Sequence, residues 1–266
     1  MANTGSSQNV SQLFQAAQQE GDLSAQSAAI LLAPDMGLQI QAGLGAQIDD
    51  VQASEVFLVA LMPDDSGSIA SANNEQTVRD GHNLVIEALR DSKQGDGIRA
   101  HCRYLNGKVL YAFGSLDAAV KMDGRNYRAD QGTPLYDQTV VLLGTVLAEA
   151  KAFEDAGVPA RTATLIITDG ADLHSRRKAK DVKAIVDDML RKEMHIVAAM
   201  GIDDGGGTDF RRVFRDMGIR DEWILTPGNS ASEIRRAFSV FSRSAVRASQ
   251  SAGSFSQTAA GGFGAP

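Results

Sequence analysis

The sequence predicts an α/β fold: a doubly wound, mostly parallel central sheet with one antiparallel edge strand and helices on both faces. From Glu55 onward, short apolar runs alternate with segments whose apolar residues recur at helical spacing, as expected of a parallel sheet covered on both sides. Two of these runs are joined by Leu105-Asn106-Gly107-Lys108, and an Asn-Gly pair between strands signals a tight hairpin, which sets one antiparallel strand at an edge. The chain has 266 residues, 43% hydrophobic and 22% charged, an ordinary globular composition with length enough for a sizeable core.

Residues 1–50 read as a partly helical N-terminal extension. Helical patterns cover about Ser7–Glu20 and Ser24–Leu32, ended by Gly21 and Pro34. Leu38, Ile40, Ala42 and Leu44 then alternate with small or polar residues, which predicts a short half-buried strand. The extension is not a second domain and is expected to pack on the main domain or on a neighbouring chain. Residues 51–247 form that main domain, with strands expected at Val56–Met62, Ile98–Tyr104, Val109–Phe113, Thr164–Thr168, Ile196–Ile202 and Trp223–Leu225. Val78, Val85 and Leu89 mark one helix face, and Val182, Ile185 and Met189 another. The last helix starts at Ser230, with Glu233 placed to complete a capping box and Ile234, Phe238, Phe241 and Ala245 as its buried stripe. Residues 248–266 hold Ser, Ala, Gly and Gln without a core-forming pattern and read as a flexible tail.

Charge and composition exclude several function classes. Twenty-six basic against 33 acidic residues give a net charge of −7, which disfavours a nucleic-acid or anionic-membrane surface. The single cysteine, Cys102, permits neither an intramolecular disulfide nor a cysteine-based zinc site, and it points to a reducing compartment. Met1-Ala2-Asn3-Thr4-Gly5-Ser6-Ser7 lacks the basic and apolar regions of a leader, and no run approaches the roughly 18 apolar residues of a membrane span. A cytoplasmic location without membrane contact is therefore the expectation. No phosphate-binding Gly-x-x-x-x-Gly-Lys loop, no Gly-x-Gly-x-x-Gly after the first strand and no Gly-x-Ser-x-Gly elbow is present, so no enzymatic activity is expected. His101, His174 and His195 share no metal-site spacing, and His82 lies on the apolar stripe as a buried, hydrogen-bonded histidine. Asp203–Asp209 reads as an ordinary strand-to-helix connection capped by Thr208 or Asp209. Arg176, Arg177, Lys178 and Lys180 read as a solvated face, as do most of Arg235, Arg236, Arg243 and Arg247.

One constellation carries chemistry. The first strand ends in Met62-Pro63-Asp64-Asp65-Ser66-Gly67-Ser68-Ile69, which sets a carboxylate and two hydroxyls at alternate positions of a turn before a helix. Gly132-Thr133-Pro134-Leu135-Tyr136-Asp137 precedes a second helix, and Thr164-Leu165-Ile166-Ile167-Thr168-Asp169-Gly170 ends another buried strand in a carboxylate. In a doubly wound sheet, three such loops can converge beyond the carboxyl ends of the strands, where ligands bind.

This Asp-x-Ser-x-Ser, Thr, Asp set resembles the metal-ion-dependent adhesion site of the von Willebrand factor A-type family, across about Glu55–Arg247. The resemblance implies that Ser66, Ser68 and Thr133 bind an ion directly and that Asp64 and Asp169 bind it directly or through water. Hard oxygen donors suit six-coordinate Mg²⁺ or Mn²⁺, with Ca²⁺ also admissible. In the family, an open position on the ion accepts a carboxylate, so the implied partner is a protein presenting an Asp or Glu side chain. Bacterial stand-alone relatives work beside AAA+ ATPases or in stress-response modules, which suggests such a component as partner. Pro63, where many members have another residue, departs from the pattern without removing a ligand. A second reading is a structural or assembly subunit that forms a homo-oligomer through its terminal extensions, with the metal at an interface.

Overall fold

Val56–Met62 forms β1, buried at every position, as a strand covered on both faces must be. In the computed structural model, residues 9–45, 54–93, 95–203, 205–250 and 261–263 are described. β1 shares a sheet with β2 (Ile98–Arg103), β3 (Val109–Ser115), β4 (Ala160–Thr168), β5 (His195–Gly201) and β6 (Ile224–Leu225). The strand order is β3-β2-β1-β4-β5-β6, and every neighbouring pair is parallel except β2 with β3. The expected hairpin joins those two, with Gly107 at φ +93°, a backbone conformation that glycine adopts without strain. β4 begins at Ala160 rather than Thr164. Arg161 and Thr162 look polar in sequence, yet both are buried, and the Arg161 guanidinium donates to the Ala248 carbonyl at 3.1 Å and to Glu55 at 2.6 Å.

Helices flank this sheet in three layers. The chain preceding β1 supplies α1 (Val10–Gln19), α2 (Ala25–Leu31) and α3 (Gly37–Gln41). After β1 come α4 (Gly67–Ser71), α5 (Glu75–Arg90), α6 (Leu135–Asp155), α7 (Ala179–Arg191), α8 (Phe210–Asp216) and α9 (Ala231–Gln250). Right-handed crossovers that run one way from β1 to β2 and the other way from β4 to β6 put α5 on one face and α6, α7 and α8 on the opposite one. α9 returns to the face of α5, and the two helices approach closely at Gly81, where an added Cβ would lie 2.1 Å from the Phe238 ring. Ile234, Phe238, Phe241 and Ala245 are buried as expected, and the Glu233 amide donates to Ser230 Oγ at 3.3 Å.

The terminal segments depart from the sequence reading. Leu38 lies in a helix, not a strand: Met36 and Ile40 are buried while Leu38 is 85% exposed, which is helical rather than alternating burial. α1, α2 and α3 pack on α6 and α7 of the main domain. Leu31 and Ile40 fill the space over Gly144, where a Cβ would come within 2.8 Å of both. Charged contacts fasten the same layer: Ser24 donates its amide and hydroxyl to Asp188, each at 2.8 Å, Lys192 pairs with Asp22 at 2.6 Å and Lys151 with Glu20 at 3.0 Å. At the other end, α9 continues past Arg247 to Gln250. The Phe263 amide donates to the Glu222 carbonyl at 2.9 Å, and its ring meets Trp223 edge-on at 5.2 Å between centroids. The rest of the expected tail, residues 251–260 and 264–266, and the boundary near residue 50 lie outside the described residues. Among the described residues no helix is long and apolar enough to cross a membrane.

Two substitutions test this packing. Phe238→Ala is expected to cost about 3–5 kcal/mol and Ile40→Ala about 2–5 kcal/mol, as for other buried large-to-small changes. Urea unfolding followed by far-ultraviolet circular dichroism checks both. A single transition shifted by Ile40→Ala is the expected result, and a separate early transition would show that the N-terminal layer unfolds alone.

Candidate metal centre

β1 lies where the winding of the sheet reverses. The chain leaves β1 toward α5 on one face and enters β4 from α6 on the other, so the loops beyond the carboxyl ends of these adjacent strands diverge and open a crevice. Backbone pairing draws a third loop into it. Ser66 and Gln131 form an isolated bridge, in which the Gly67 amide donates to the Gln131 carbonyl at 3.1 Å and the Gln131 amide to the Asp65 carbonyl at 3.0 Å. The buried Tyr127 hydroxyl donates to the Asp64 carbonyl and holds the turn from the side.

Four of the five expected side chains meet there. Asp64 is fully buried: Oδ1 accepts the Ser66 amide at 2.7 Å, and Oδ2 accepts Thr168 Oγ1 at 2.7 Å and the Asp169 amide at 3.3 Å. The Ser66 and Ser68 hydroxyls lie 2.9 Å apart, and both donate to Asp169 Oδ1, at 3.3 Å and 2.6 Å respectively. Ser68 is exposed, so the cluster opens to solvent on that side. Thr133 is buried on the neighbouring loop, and its carbonyl accepts the amides of Leu135 and of Leu173, the latter in the loop that follows Asp169, at 2.8 Å each. Its hydroxyl makes no hydrogen bond to the other four.

Burial dominates the electrostatics. It raises the Asp64 carboxyl above the ordinary aspartate range, against the hydrogen bonds that favour its ionised form. Asp65, which sequence reasoning passed over, is pushed up to about 7, chiefly by burial and further by the charges of Asp64 and Asp130, while its bond from the Asn106 amide at 3.0 Å opposes the shift. In the sequence the Asp-x-Ser-x-Ser spacing singles out Asp64, and nothing marks the neighbouring Asp65 as buried. Among the described residues no ion pair reaches Asp64 or Asp65, so their charge is offset by hydrogen bonds alone. No group of three or more His, Cys, Asp or Glu side chains there is arranged to hold a metal. The donor set is instead two carboxylates with hydroxyls, which fits a small hard cation that keeps part of its water shell.

Other singled-out residues stand apart from this crevice. His82 is buried, its Nε2 is 2.8 Å from the Tyr111 hydroxyl, and burial brings its pKa down to about 4, so the ring is neutral. Asp209 caps α8 by accepting the Arg212 amide at 3.0 Å. Arg177 corrects the expectation of a solvated face: it is largely buried and pairs with Asp35 at 2.9 Å and Asp137 at 3.4 Å.

No protein-family model matches the sequence, and no curated protein matches it. Among solved structures, the pilus adhesin SpaC from Lactobacillus rhamnosus GG in an open conformation aligns with a TM-score of 0.53 and 14% identity over 74% of this chain and 30% of the adhesin. A second form of SpaC gives 0.54 and 12% identity over 73% and 31%. Proximal thread matrix protein 1 from the mussel byssus, with a zinc-occupied MIDAS motif, gives 0.48 and 18% identity over 74% of this chain and 47% of that one. The chain thus spans about 30% of the length of the adhesin it matches, and the likeness to SpaC supports the von Willebrand factor A fold.

The burial of Asp65 has a measurable consequence in metal-free protein. Its folded pKa of about 7 stands above the unfolded value near 3.9, so the folded state holds more protons between those limits. The resulting stability is fully present below about pH 4 and is lost as pH rises through about 7. Asp65→Asn is therefore expected to gain urea midpoint relative to the parent as pH goes from 5 to 7.5 in EDTA. A constant difference across that range would contradict the assignment.

Proposed function

We propose that this domain is a divalent-cation-dependent protein-binding module that captures an acidic side chain of a partner through a metal held by Asp64, Ser66, Ser68, Thr133 and Asp169. The observation that carries this reading is the convergence of the Ser66 and Ser68 hydroxyls on the Asp169 carboxylate beside a buried Asp64 that makes no ion pair among the described residues. Ser66, Ser68 and Thr133 would supply neutral oxygen donors, and Asp64 and Asp169 the anionic ones, directly or through water. A divalent ion bound there supplies Lewis acidity toward one further oxygen ligand. Because hydroxyls fill much of its shell, that ligand is expected to be an anionic carboxylate.

Asp64 is held by two backbone amides and a hydroxyl, which fixes both of its oxygens before any ligand arrives. The exposed Ser68 marks the open side from which a partner side chain would approach. In this reading the domain is not an enzyme, the ion is Mg²⁺ or Mn²⁺, with Ca²⁺ as the alternative, and the protein works in the cytoplasm, with an AAA+ ATPase or a stress-response component as a candidate partner. Assembly of copies through the chain ends is the competing reading. The docking of α1 to α3 and of Phe263 on their own chain favours recognition over assembly.

Calorimetric titration of purified protein with Mg²⁺ and Mn²⁺ is the direct test. The wild type is expected to bind one ion, and Asp64→Ala and Ser66→Ala to abolish binding while keeping the far-ultraviolet spectrum. At 100 times the dissociation constant, the ion should add about 2.7 kcal/mol to unfolding stability. Absence of both heat and stabilisation in the folded wild type would sink the proposal. EDTA is further expected to release any partner retained from lysate by the loaded protein.

A further inference from the structure

Residues 35–39, at the start of α3, contact Arg103, Gln138 and Arg177, each of which belongs to a segment next to a loop of the metal centre. The Gln39 carbonyl accepts Arg103 Nη1 at 3.4 Å, and the same guanidinium donates through Nη2 to the Gly107 carbonyl at 3.2 Å. Gly107 belongs to the hairpin turn whose neighbouring amides hold the metal loop, Asn106 on Asp65 Oδ1 at 3.0 Å and Leu105 on the Pro63 carbonyl at 3.1 Å. The Gln39 side chain accepts Gln138 Nε2 at 3.1 Å, which ties it to the first turn of α6, just beyond Thr133. Asp35 receives a two-pronged contact from Arg177, at 2.9 and 3.0 Å. The Arg177 amide and side chain also reach Asp137, and the same loop, which follows Asp169, binds the Thr133 carbonyl through Leu173.

Arg103 is costly in this position. It is fully buried, no carboxylate among the described residues pairs with it, and its charge is balanced only by carbonyl oxygens of two separate segments. A buried unpaired guanidinium fixes the distance between those segments, because losing either carbonyl would leave it uncompensated. Arg177 joins the N-terminal segment to the loops that follow Asp169 and Thr133 in a different way, through ion pairs with Asp35 and Asp137.

Resting on the metal reading above, we infer that residues 35–39 form a strut of the metal centre, with Arg103 and Arg177 as its positioning residues, so that cation binding and docking of the N-terminal helices stabilise each other. Linkage makes the effect reciprocal: whatever the docked strut adds to cation affinity, the cation returns to strut docking.

The test uses the full chain with Mn²⁺ as probe. Hydrogen exchange is measured with and without the ion, in the wild type and in Asp64→Ala. Amides of residues 36–42 are expected to exchange more slowly with Mn²⁺ in the wild type and to be indifferent to it in Asp64→Ala. Asp35→Asn removes a half-exposed carboxylate without disturbing the core and is expected to weaken Mn²⁺ binding about two- to fivefold, the range for a partly exposed ion pair. Its metal-free melting temperature should stay close to that of the wild type. Protection confined to the metal loops, or wild-type affinity in Asp35→Asn, would overturn the strut while leaving the metal reading in place. A folded wild type that binds no Mn²⁺ would overturn both.

Discussion

The arrangement at the carboxyl edge of this sheet depends on one buried carboxylate. Asp64 sits at the end of a strand covered on both faces, so water cannot solvate it, and the protein must satisfy its oxygens internally. It does so with the Ser66 amide on one oxygen and with the Thr168 hydroxyl and Asp169 amide on the other. Those bonds come from the loop that follows Asp64 and from the strand beside it. Keeping Asp64 satisfied therefore aligns the Ser66–Ser68 turn with the end of β4 and brings the two hydroxyls onto Asp169. A centre of this kind is set up by the solvation needs of a single side chain, and its other members follow from the geometry those needs impose.

The same logic explains why the scaffold is so heavily covered. A crevice at the reversal of strand order works only if β1 and β4 stay in register, and both are buried along their entire length. α5 and α9 cover one face and α6 to α8 the other. The N-terminal helices add a further layer over α6 and α7, and the Asp35–Arg177 ion pair ties the start of α3 to the loop that follows Asp169. The extension thus belongs to the same packed body as the sheet.

Much of this was legible in the residues. The strand β1 was read at its observed bounds because seven apolar residues between polar flanks admit little else, and the hairpin followed from Asn106-Gly107. The Asp64, Ser66, Ser68 and Asp169 grouping was legible from the Asp-x-Ser-x-Ser spacing and its resemblance to a known motif, with both carboxylates placed at the ends of buried strands that the apolar runs mark. Thr133 was legible as a neighbour, but its backbone rather than its hydroxyl makes the contacts seen. What escaped depends on partners distant in sequence. Arg161 looks like a solvent-facing break before its strand, and the Glu55 carboxylate and the Ala248 carbonyl are among the groups that make its burial tolerable. The carbonyls of Gln39 and Gly107 that receive the buried Arg103 have no signal in the strand's own pattern. The helix around Leu38 was misread because Met36 and Ile40 face α6 while Leu38 points away, and in so short a segment the alternating and helical periods share positions. Phe263, a lone aromatic among glycines, gives no periodic signal at all, and its anchor is Trp223 on a remote turn.

The pairing of β1 with β4 also sets the order in which this centre can come into being. Val56 lies opposite Ala160, and the bond from Thr168 to Asp64 spans 104 positions of sequence. The intervening chain holds two strands and two long helices that must fold or collapse before the ends meet, and closing so long a loop is among the slower events of folding. During synthesis, the first carboxylate waits unpartnered until the second has left the ribosome and β4 has joined the sheet. Occupancy of the centre would then report that β4 has joined β1, because a chain that ends before Asp169 lacks the second carboxylate.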